Sequence, residues 1–260
     1  MDAFYALATD DYRILAEAMD WRGWFEERQR DAGARPLRLL DVACGSGKFP
    51  VALARYAGLA SADMQPVDTA LLDPSAFSIR EARANLPEPF KAGDEYEIPL
   101  QALACSRGAF DIAWATHALY AIPAAELPAA MERFLHAIGD TGIGVIAHSA
   151  PTGHYIRFHE LFLAAFAQDP VQRYSDAAQI VAALEAGGAR VATRDIDYTN
   201  GLPEGEDGEI EAFLQRCAFD DRFTLAMMRE RPPLDGYLAS CLRDGHWRFP
   251  QRVTLMFVTA

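Results

Sequence analysis

The chain has 260 residues, with 37 acidic and 24 basic side chains and a formal net charge of −13. This balance excludes a protein whose main task is to hold nucleic-acid phosphates, because that contact needs clustered Lys and Arg. No apolar run approaches the roughly 20 residues of a membrane span, and the opening MDAFYALATDDYR lacks the basic region of a secretory signal. We therefore expect a cytoplasmic protein with no nucleic-acid or membrane partner.

Helical and strand patterns alternate along the chain. Apolar residues three and four apart predict a first helix over about residues 9–31. The later predicted strands are 37–42, 66–72, 110–120, 141–150, 190–197 and 252–259, and the later predicted helices are 50–57, 75–86, 124–138, 152–167, 175–186, 208–217 and 223–231. Residues 201–211, rich in acids, are expected to form an exposed loop. The alternation predicts a single α/β domain over residues 1–260, with a parallel sheet covered on both faces.

Lysine and cysteine are too sparse or too scattered for several chemistries. The only lysines are Lys48 and Lys91, and neither has a tyrosine four positions before it, as a Tyr-x-x-x-Lys pair for hydride transfer requires. The four cysteines form no C-x-x-C pair, which argues against a structural zinc site or a disulfide framework. We therefore expect reduced thiols and no bound metal.

A glycine turn follows the first predicted strand. In the segment LLDVACGSG, Gly45 and Gly47 allow the backbone to pass close to a ligand, because glycine has no Cβ. Asp73 ends the second predicted strand, 26 residues after Gly47. In an open parallel sheet both positions lie at the crevice where ligands bind. A carboxylate at Asp73 could accept two ribose hydroxyls there.

Two cofactors use such a turn, and the sequence favours one of them. A dinucleotide site needs G-x-G-x-x-G, but Pro50 stands where the third glycine belongs. Asp41, directly before the turn, suits a cationic ligand such as the methionine ammonium of S-adenosylmethionine and suits a pyrophosphate poorly. S-adenosylmethionine is thus favoured, while a nicotinamide cofactor and a turn that binds no ligand stay open as alternatives.

The segment from Asp41 to Gly47, together with Asp73, resembles the first two motifs of class I S-adenosylmethionine-dependent methyltransferases. The family usually has glycine in place of Ala43. The resemblance implies a Rossmann-like, mostly parallel sheet with an antiparallel last strand and helical cap elements. It also implies a set of cofactor-binding residues. These are Asp41, Ala43, Gly45, Gly47, Asp73, Pro74 and Thr116.

A narrower similarity points to the histamine N-methyltransferase group. It is carried by the segments LDPSA at 72–76, FDI at 110–112, THALY at 116–120, FLQRC at 213–217 and TLMFV at 254–258. The resemblance implies an amine or imidazole acceptor, held by a cap made of the first helix (about 9–31) and the 151–175 and 200–250 segments. The implied acceptor-binding residues are Asp20, His117, Tyr120, His154 and Gln251, and Phe158, in the aromatic stretch that begins at His154, could roof the pocket. The family has a glutamine in place of His117 and an aromatic residue in place of His154, so a different small acceptor stays open.

In methyl transfer the protein mainly positions the nucleophile, removes water from it and keeps it unprotonated. His117 lies at the end of the third apolar strand, at the crevice edge, and is the candidate catalytic residue, as a proton acceptor for the attacking nitrogen. Two alternatives remain. One is an O-methyltransferase for a carboxylate or hydroxyl, and the other is a noncatalytic module that binds S-adenosylmethionine.

Overall fold

The computed structural model describes residues 2–60, 64–166 and 173–260, and the side chains from residue 9 onward within those ranges. The helices are α1 (Asp2–Glu17), α2 (Trp21–Ala32), α3 (Lys48–Tyr56), α4 (Ala76–Asn85), α5 (Leu127–Ile138), α6 (His154–Phe166), α7 (Ala177–Ala186), α8 (Asp207–Ala218), α9 (Leu225–Arg229) and α10 (Leu234–Cys241). The strands are β1 (Leu37–Val42), β2 (Val67–Leu72), β3 (Phe90–Tyr96), β4 (Ile112–Thr116), β5 (Ile143–Ser149), β6 (Arg190–Asn200), β7 (Leu242–Arg243), β8 (His246–Trp247) and β9 (Phe249–Thr259).

Within the described residues, seven strands form one sheet in the order β3-β2-β1-β4-β5-β9-β6. The strands β1 to β5 pair in parallel, whereas β9 runs antiparallel to both β5 and β6. The predicted α/β class and the antiparallel last strand are confirmed. The strand order reverses between β1 and β4, and open α/β sheets bind ligands outside the carboxyl ends of their strands at such a switch point.

The single helix predicted over residues 9–31 is wrong. The chain forms α1 and α2 instead, separated by residues 18–20. Asp20 caps the second helix, because its carboxylate accepts the backbone N–H of Gly23 at 2.9 Å. Trp21 is fully buried, and its ring N–H donates to the Leu15 carbonyl at 2.7 Å, which fixes the break. Apolar spacing continues through the break, so periodicity alone does not reveal it.

Other elements also differ from the sequence prediction. The pattern does not predict β3, because this edge strand is mostly exposed and has no apolar run. The strand predicted over 110–120 is shorter, since the left-handed backbone of His117 (φ 52°) follows the end of β4 at Thr116. The predicted acidic loop 201–211 gives way to α8 at Asp207, and α10 and the β7–β8 hairpin are not predicted.

Apolar side chains pack on both faces of the sheet and in a third cluster beside it. One face packs against α5 and α7, and the other against α1, α2 and α3, where Trp21, Phe25 and Trp114 are fully buried. The third cluster joins α6, α8, α9 and α10 to the start of β9, around Phe213 and Phe249. None of the described helices is long and apolar enough to cross a membrane.

Candidate functional site

A cavity of about 330 Å³ lies at the carboxyl ends of the neighbouring strands β1 and β4. The turn after β1 contributes Ala43 and Gly45 to its wall, and the end of β4 contributes Thr116 and His117. Helices α1, α6 and α8 add further side chains. The cavity has the size of a small-molecule site, for which volumes of roughly 300–1,000 Å³ are usual, and it lies at the switch point of the sheet.

The turn after β1 has an unusual backbone. Ala43, Gly45 and Gly47 all have left-handed conformations, with φ of 51°, 52° and 74°. A Cβ on Gly47 would lie 3.2 Å from the Cα of Ala82, so α4 would have to shift by a few tenths of an ångström, and the left-handed φ also favours glycine there. A left-handed alanine is strained, and such strain is found chiefly where a functional site holds the backbone in place.

Asp73 connects this turn to the end of β2. One carboxylate oxygen of Asp73 accepts the backbone N–H of Gly45 at 3.1 Å, and the other accepts the N–H of Ser75 at 2.9 Å. The hydroxyl of Ser75 accepts the N–H of Ser78 at 3.3 Å, so Ser75 caps α4. Asp73 therefore fixes the glycine turn and the start of α4 together.

Asp41 is the buried acid of the cavity wall. It is only 4% exposed, and its Oδ2 has no hydrogen-bond partner among the described residues. Burial raises the pKa of Asp41 to about 7; the ring N–H of Trp114 opposes this shift, and the negative charge of Asp73 adds to it. An unsatisfied buried carboxylate oxygen is costly. A cationic ligand that donates a hydrogen bond to Oδ2 would remove that cost.

A second acid, Asp11 of α1, lines the same cavity and is 2% exposed. Its Oδ1 accepts hydrogen bonds from the Tyr198 hydroxyl and the Asn200 amide, each at 2.7 Å. Its Oδ2 accepts one from the Tyr155 hydroxyl at 2.5 Å. A carboxylate oxygen has two lone pairs, so Oδ2 retains one acceptor position. These three donors fix the orientation of the Asp11 carboxylate.

His117 is held by Tyr120. Its Nδ1 lies 3.1 Å from the Tyr120 hydroxyl oxygen, which also accepts the buried N–H of Ser149 at 3.2 Å. With one lone pair engaged by Ser149, the hydroxyl is placed to donate its own proton to Nδ1. Burial lowers the pKa of His117, although the charge of Asp11 opposes the shift. The neutral ring then carries its proton on Nε2, which has no partner among the described residues.

The structure brings together part of the predicted cofactor set. Asp41, Ala43, Gly45 and Thr116 line the cavity. The other three members do not line it: Gly47 shapes the turn, Asp73 is bonded to backbone N–H groups, and Pro74 is exposed.

The structure separates most of the predicted acceptor set. His117 and Tyr120 line the cavity, but Asp20 is exposed and caps α2. His154 and Phe158 are one turn apart on α6 and share a face that packs into the third apolar cluster. There the Nδ1 of His154 lies 2.7 Å from the Tyr237 hydroxyl.

Gln251 does not line the cavity either. It is 3% exposed, and its position on β9 pairs with Tyr198 on β6. Paired residues of neighbouring strands share a face of the sheet. Gln251 is therefore a neighbour of the residue that donates to Asp11, and the cavity wall is formed by others.

Sequence reasoning overlooks several residues of the wall, among them Asp11, Tyr12, Lys48, Tyr174 and Arg216. A signal for Asp11 exists in the sequence, because it lies four residues before the buried Leu15 and so on the same face of α1. Tyr155, beside His154 on α6, lines the cavity. Burial also lowers the pKa of Lys48 to about 8, although the charge of Asp11 opposes the shift.

Known proteins match the fold of the chain and not its sequence. No protein-family model matches, and a search of curated proteins finds no significant match. Among solved structures, a candidate methyltransferase from Bacillus halodurans has a TM-score of 0.59 at 14% identity, over 90% of this chain and 97% of its own. The YcgJ protein from Bacillus subtilis has a TM-score of 0.55 at 16% identity, over 88% and 94%.

A third solved structure is magnesium protoporphyrin IX methyltransferase from Synechocystis PCC 6803 with bound SAH. Its TM-score is 0.51 at 13% identity, over 96% of this chain and 84% of its own. With the strand order described above, these matches show that the chain has the Rossmann-like fold of class I methyltransferases.

Proposed function

We propose that this protein is an S-adenosylmethionine-dependent methyltransferase that methylates a nitrogen of a small amine or imidazole. The observation that carries the proposal is the buried, unpartnered Oδ2 of Asp41, which lies beside a left-handed glycine turn. Asp11 and His117 line the same cavity. The fold supports the proposal, because solved methyltransferases share it.

The residues of the turn fit S-adenosylmethionine. Asp41 offers its free Oδ2 to the methionine ammonium, and the left-handed residues Ala43 and Gly45 let the backbone lie against the ligand. Asp73 retains lone pairs on both oxygens for the ribose hydroxyls after accepting its two backbone N–H groups. When bound, the cofactor supplies an electrophilic methyl group on a sulfonium, together with its own leaving group.

Asp11 is the proposed anchor of the acceptor nitrogen. Its Oδ2 has one acceptor position left for an ammonium N–H, and Tyr12, Tyr120 and Tyr155 also line the cavity. Aromatic faces attract cations in a desolvated site. The nitrogen must lose a proton before it attacks, and the free position of Asp11 can receive that proton.

His117 then serves as a positioning donor. Because Tyr120 occupies its Nδ1, its Nε2–H is the group left for the acceptor. This role differs from the proton acceptor that the sequence suggests. The resemblance to the histamine N-methyltransferase group stays a prediction.

One observation favours an O-methyltransferase as the second candidate. Arg216 and Lys48 line the cavity, and a guanidinium is well suited to hold a carboxylate acceptor. In that case Arg216 would pair with the acceptor while the cofactor side stays the same.

The test is a product assay with methyl-labelled S-adenosylmethionine and a panel of amines, imidazoles, carboxylic acids and phenols. We expect label on a nitrogen. Label only in an ester or ether would favour the O-methyltransferase, and cofactor binding without turnover on any acceptor would favour a noncatalytic module. Absence of cofactor binding would refute the proposal.

A further inference from the structure

A second cavity of about 310 Å³ adjoins the first; we refer to it as the aromatic cavity. Tyr120, Tyr174 and Phe219 border both cavities. Its wall away from the first cavity includes the rings of Phe162, Phe166 and Phe223, whose centroids are 4.3–5.2 Å from one another. The two cavities therefore share three side chains of their walls.

Phe219 is placed unusually for a phenylalanine. It follows α8 in a left-handed conformation (φ 54°, ψ 32°), at a position where helices usually have glycine. Its side chain is nevertheless 63% exposed, so packing in the core does not account for it. The ring instead stands at the border between the two cavities, where an apolar ligand could cover it.

Most polar groups around the aromatic cavity contact the protein itself, and the buried ring of His159 stacks on that of Tyr174 with 3.5 Å between centroids. Asp220 and Arg222 form a two-point ion pair, with distances of 2.9 and 2.6 Å. The hydroxyl of Tyr174 donates to the carbonyl of Cys217 at 2.9 Å, and one face of its ring is covered by His159. The cavity therefore offers aromatic surface, and its two charged side chains neutralise each other.

We propose that the methyl acceptor carries an apolar group of one to two rings, which occupies the aromatic cavity while its nitrogen lies beside Asp11 and His117. The inference rests on the proposed methyl transfer for the identity of the reacting atom. The expected size of the apolar group follows from the volume of the aromatic cavity. An apolar cavity of about 150 Å³ holds one benzene molecule, and the aromatic cavity has about 310 Å³. Short alkylamines leave that volume unused.

The test uses ethylamine, phenylethylamine, phenylbutylamine and phenylhexylamine. Binding of each amine is measured with the S-adenosylhomocysteine-bound protein, and turnover is measured with the S-adenosylmethionine-bound protein. We expect at least one phenyl amine to bind about tenfold to hundredfold more tightly than ethylamine, the gain from burying one ring. Leu163 lines only the aromatic cavity, so Leu163→Trp should remove that gain and change ethylamine binding by less than about twofold. Ala164→Trp, on the same helix but exposed and outside the lining, should keep the gain.

Should Leu163→Trp fail to fold, nuclear Overhauser contacts between ligand phenyl protons and the rings of Phe162 and Phe223 in the wild-type protein decide the matter. Equal affinity across the amine series, a gain that survives in Leu163→Trp, or absence of those contacts would overturn the inference. Tight binding of phenyl amines without methylation would instead refute the proposed nitrogen methylation and leave the aromatic cavity assigned as an apolar subsite.

Discussion

The carboxylate of Asp73, at the end of β2, accepts the backbone N–H of Gly45, in the turn after β1, at 3.1 Å. The two strands are parallel neighbours, so one side chain spans the crevice between their ends. This contact makes the geometry of the glycine turn depend on an acid that is 28 residues away in sequence.

Replacing Asp73 by alanine should therefore have two effects. The N–H groups of Gly45 and Ser75 lose their acceptor, which should lower the free energy of unfolding by about 1–3 kcal/mol. Affinity for S-adenosylmethionine should fall at least tenfold. Urea denaturation and calorimetric titration measure the two effects separately. Unchanged cofactor affinity would show that Asp73 serves only the turn.

Gly58 is a matched control for testing the space around Gly47 in the turn after β1. Both have left-handed φ, 74° and 70°, but a Cβ on Gly58 meets nothing within 4 Å, whereas one on Gly47 meets Ala82. Gly58→Ala should cost about 1–2 kcal/mol of unfolding free energy from its backbone alone. Gly47→Ala should cost about 1–3 kcal/mol more, because the added methyl group overpacks the contact with α4. Equal losses would show that α4 yields to the methyl group.

Stability should depend on pH through Asp41. Its folded pKa of about 7 lies above the value near 3.8 expected without burial, so the folded state holds a proton through that interval. Folding stability that is present at low pH is thus lost as pH rises towards 7. Raising the pH from 5 to 8 should lower the free energy of unfolding by about 2–3 kcal/mol through Asp41 alone.

Asp41→Asn should remove that dependence, since an amide does not titrate. Denaturation of both proteins at pH 5 and pH 8 provides the comparison, in which other titrating groups cancel. The same loss between the two pH values in both proteins would contradict the assignment to Asp41.

Asp11→Asn should weaken binding of the acceptor without changing binding of the cofactor. Loss of the charge should raise the KM for an amine acceptor about tenfold or more, because charge-assisted hydrogen bonds contribute about 1.5–3 kcal/mol. Affinity for S-adenosylmethionine should not change. Asp10→Asn is the control, since Asp10 is half-exposed and pairs with Arg13 on the surface. Similar effects of the two substitutions would refute the proposed role of Asp11 as the anchor of the acceptor nitrogen.

The sequence predicts most strands of the sheet and the glycine turn in the cavity wall, for a local reason. The run of apolar residues in β1, the glycines after it and Asp73 after β2 are all short-range signals. Parallel strands bring their carboxyl ends together, so these signals meet at one place. The edge strand β3 has no such signal, because its side chains are mostly exposed.

The acceptor side is harder to predict because it is assembled from distant segments. Asp11 reaches its partners on β6 and α6 across 144–189 residues. Tyr155 lines the cavity and also packs into the third apolar cluster, whereas its neighbour His154 packs against Phe158, Phe213 and Phe249 and does not line the cavity. The resemblance selects Asp20, where the structure has a helix cap.

We propose that the unpartnered oxygen of Asp41 holds the ammonium of S-adenosylmethionine. Calorimetric titration of S-adenosylmethionine into the wild-type protein and Asp41→Asn at pH 8 measures this contact. We expect saturable one-to-one binding by the wild-type protein and an affinity at least tenfold lower in the variant. No binding by the wild-type protein, or equal affinity of the two proteins, would contradict it.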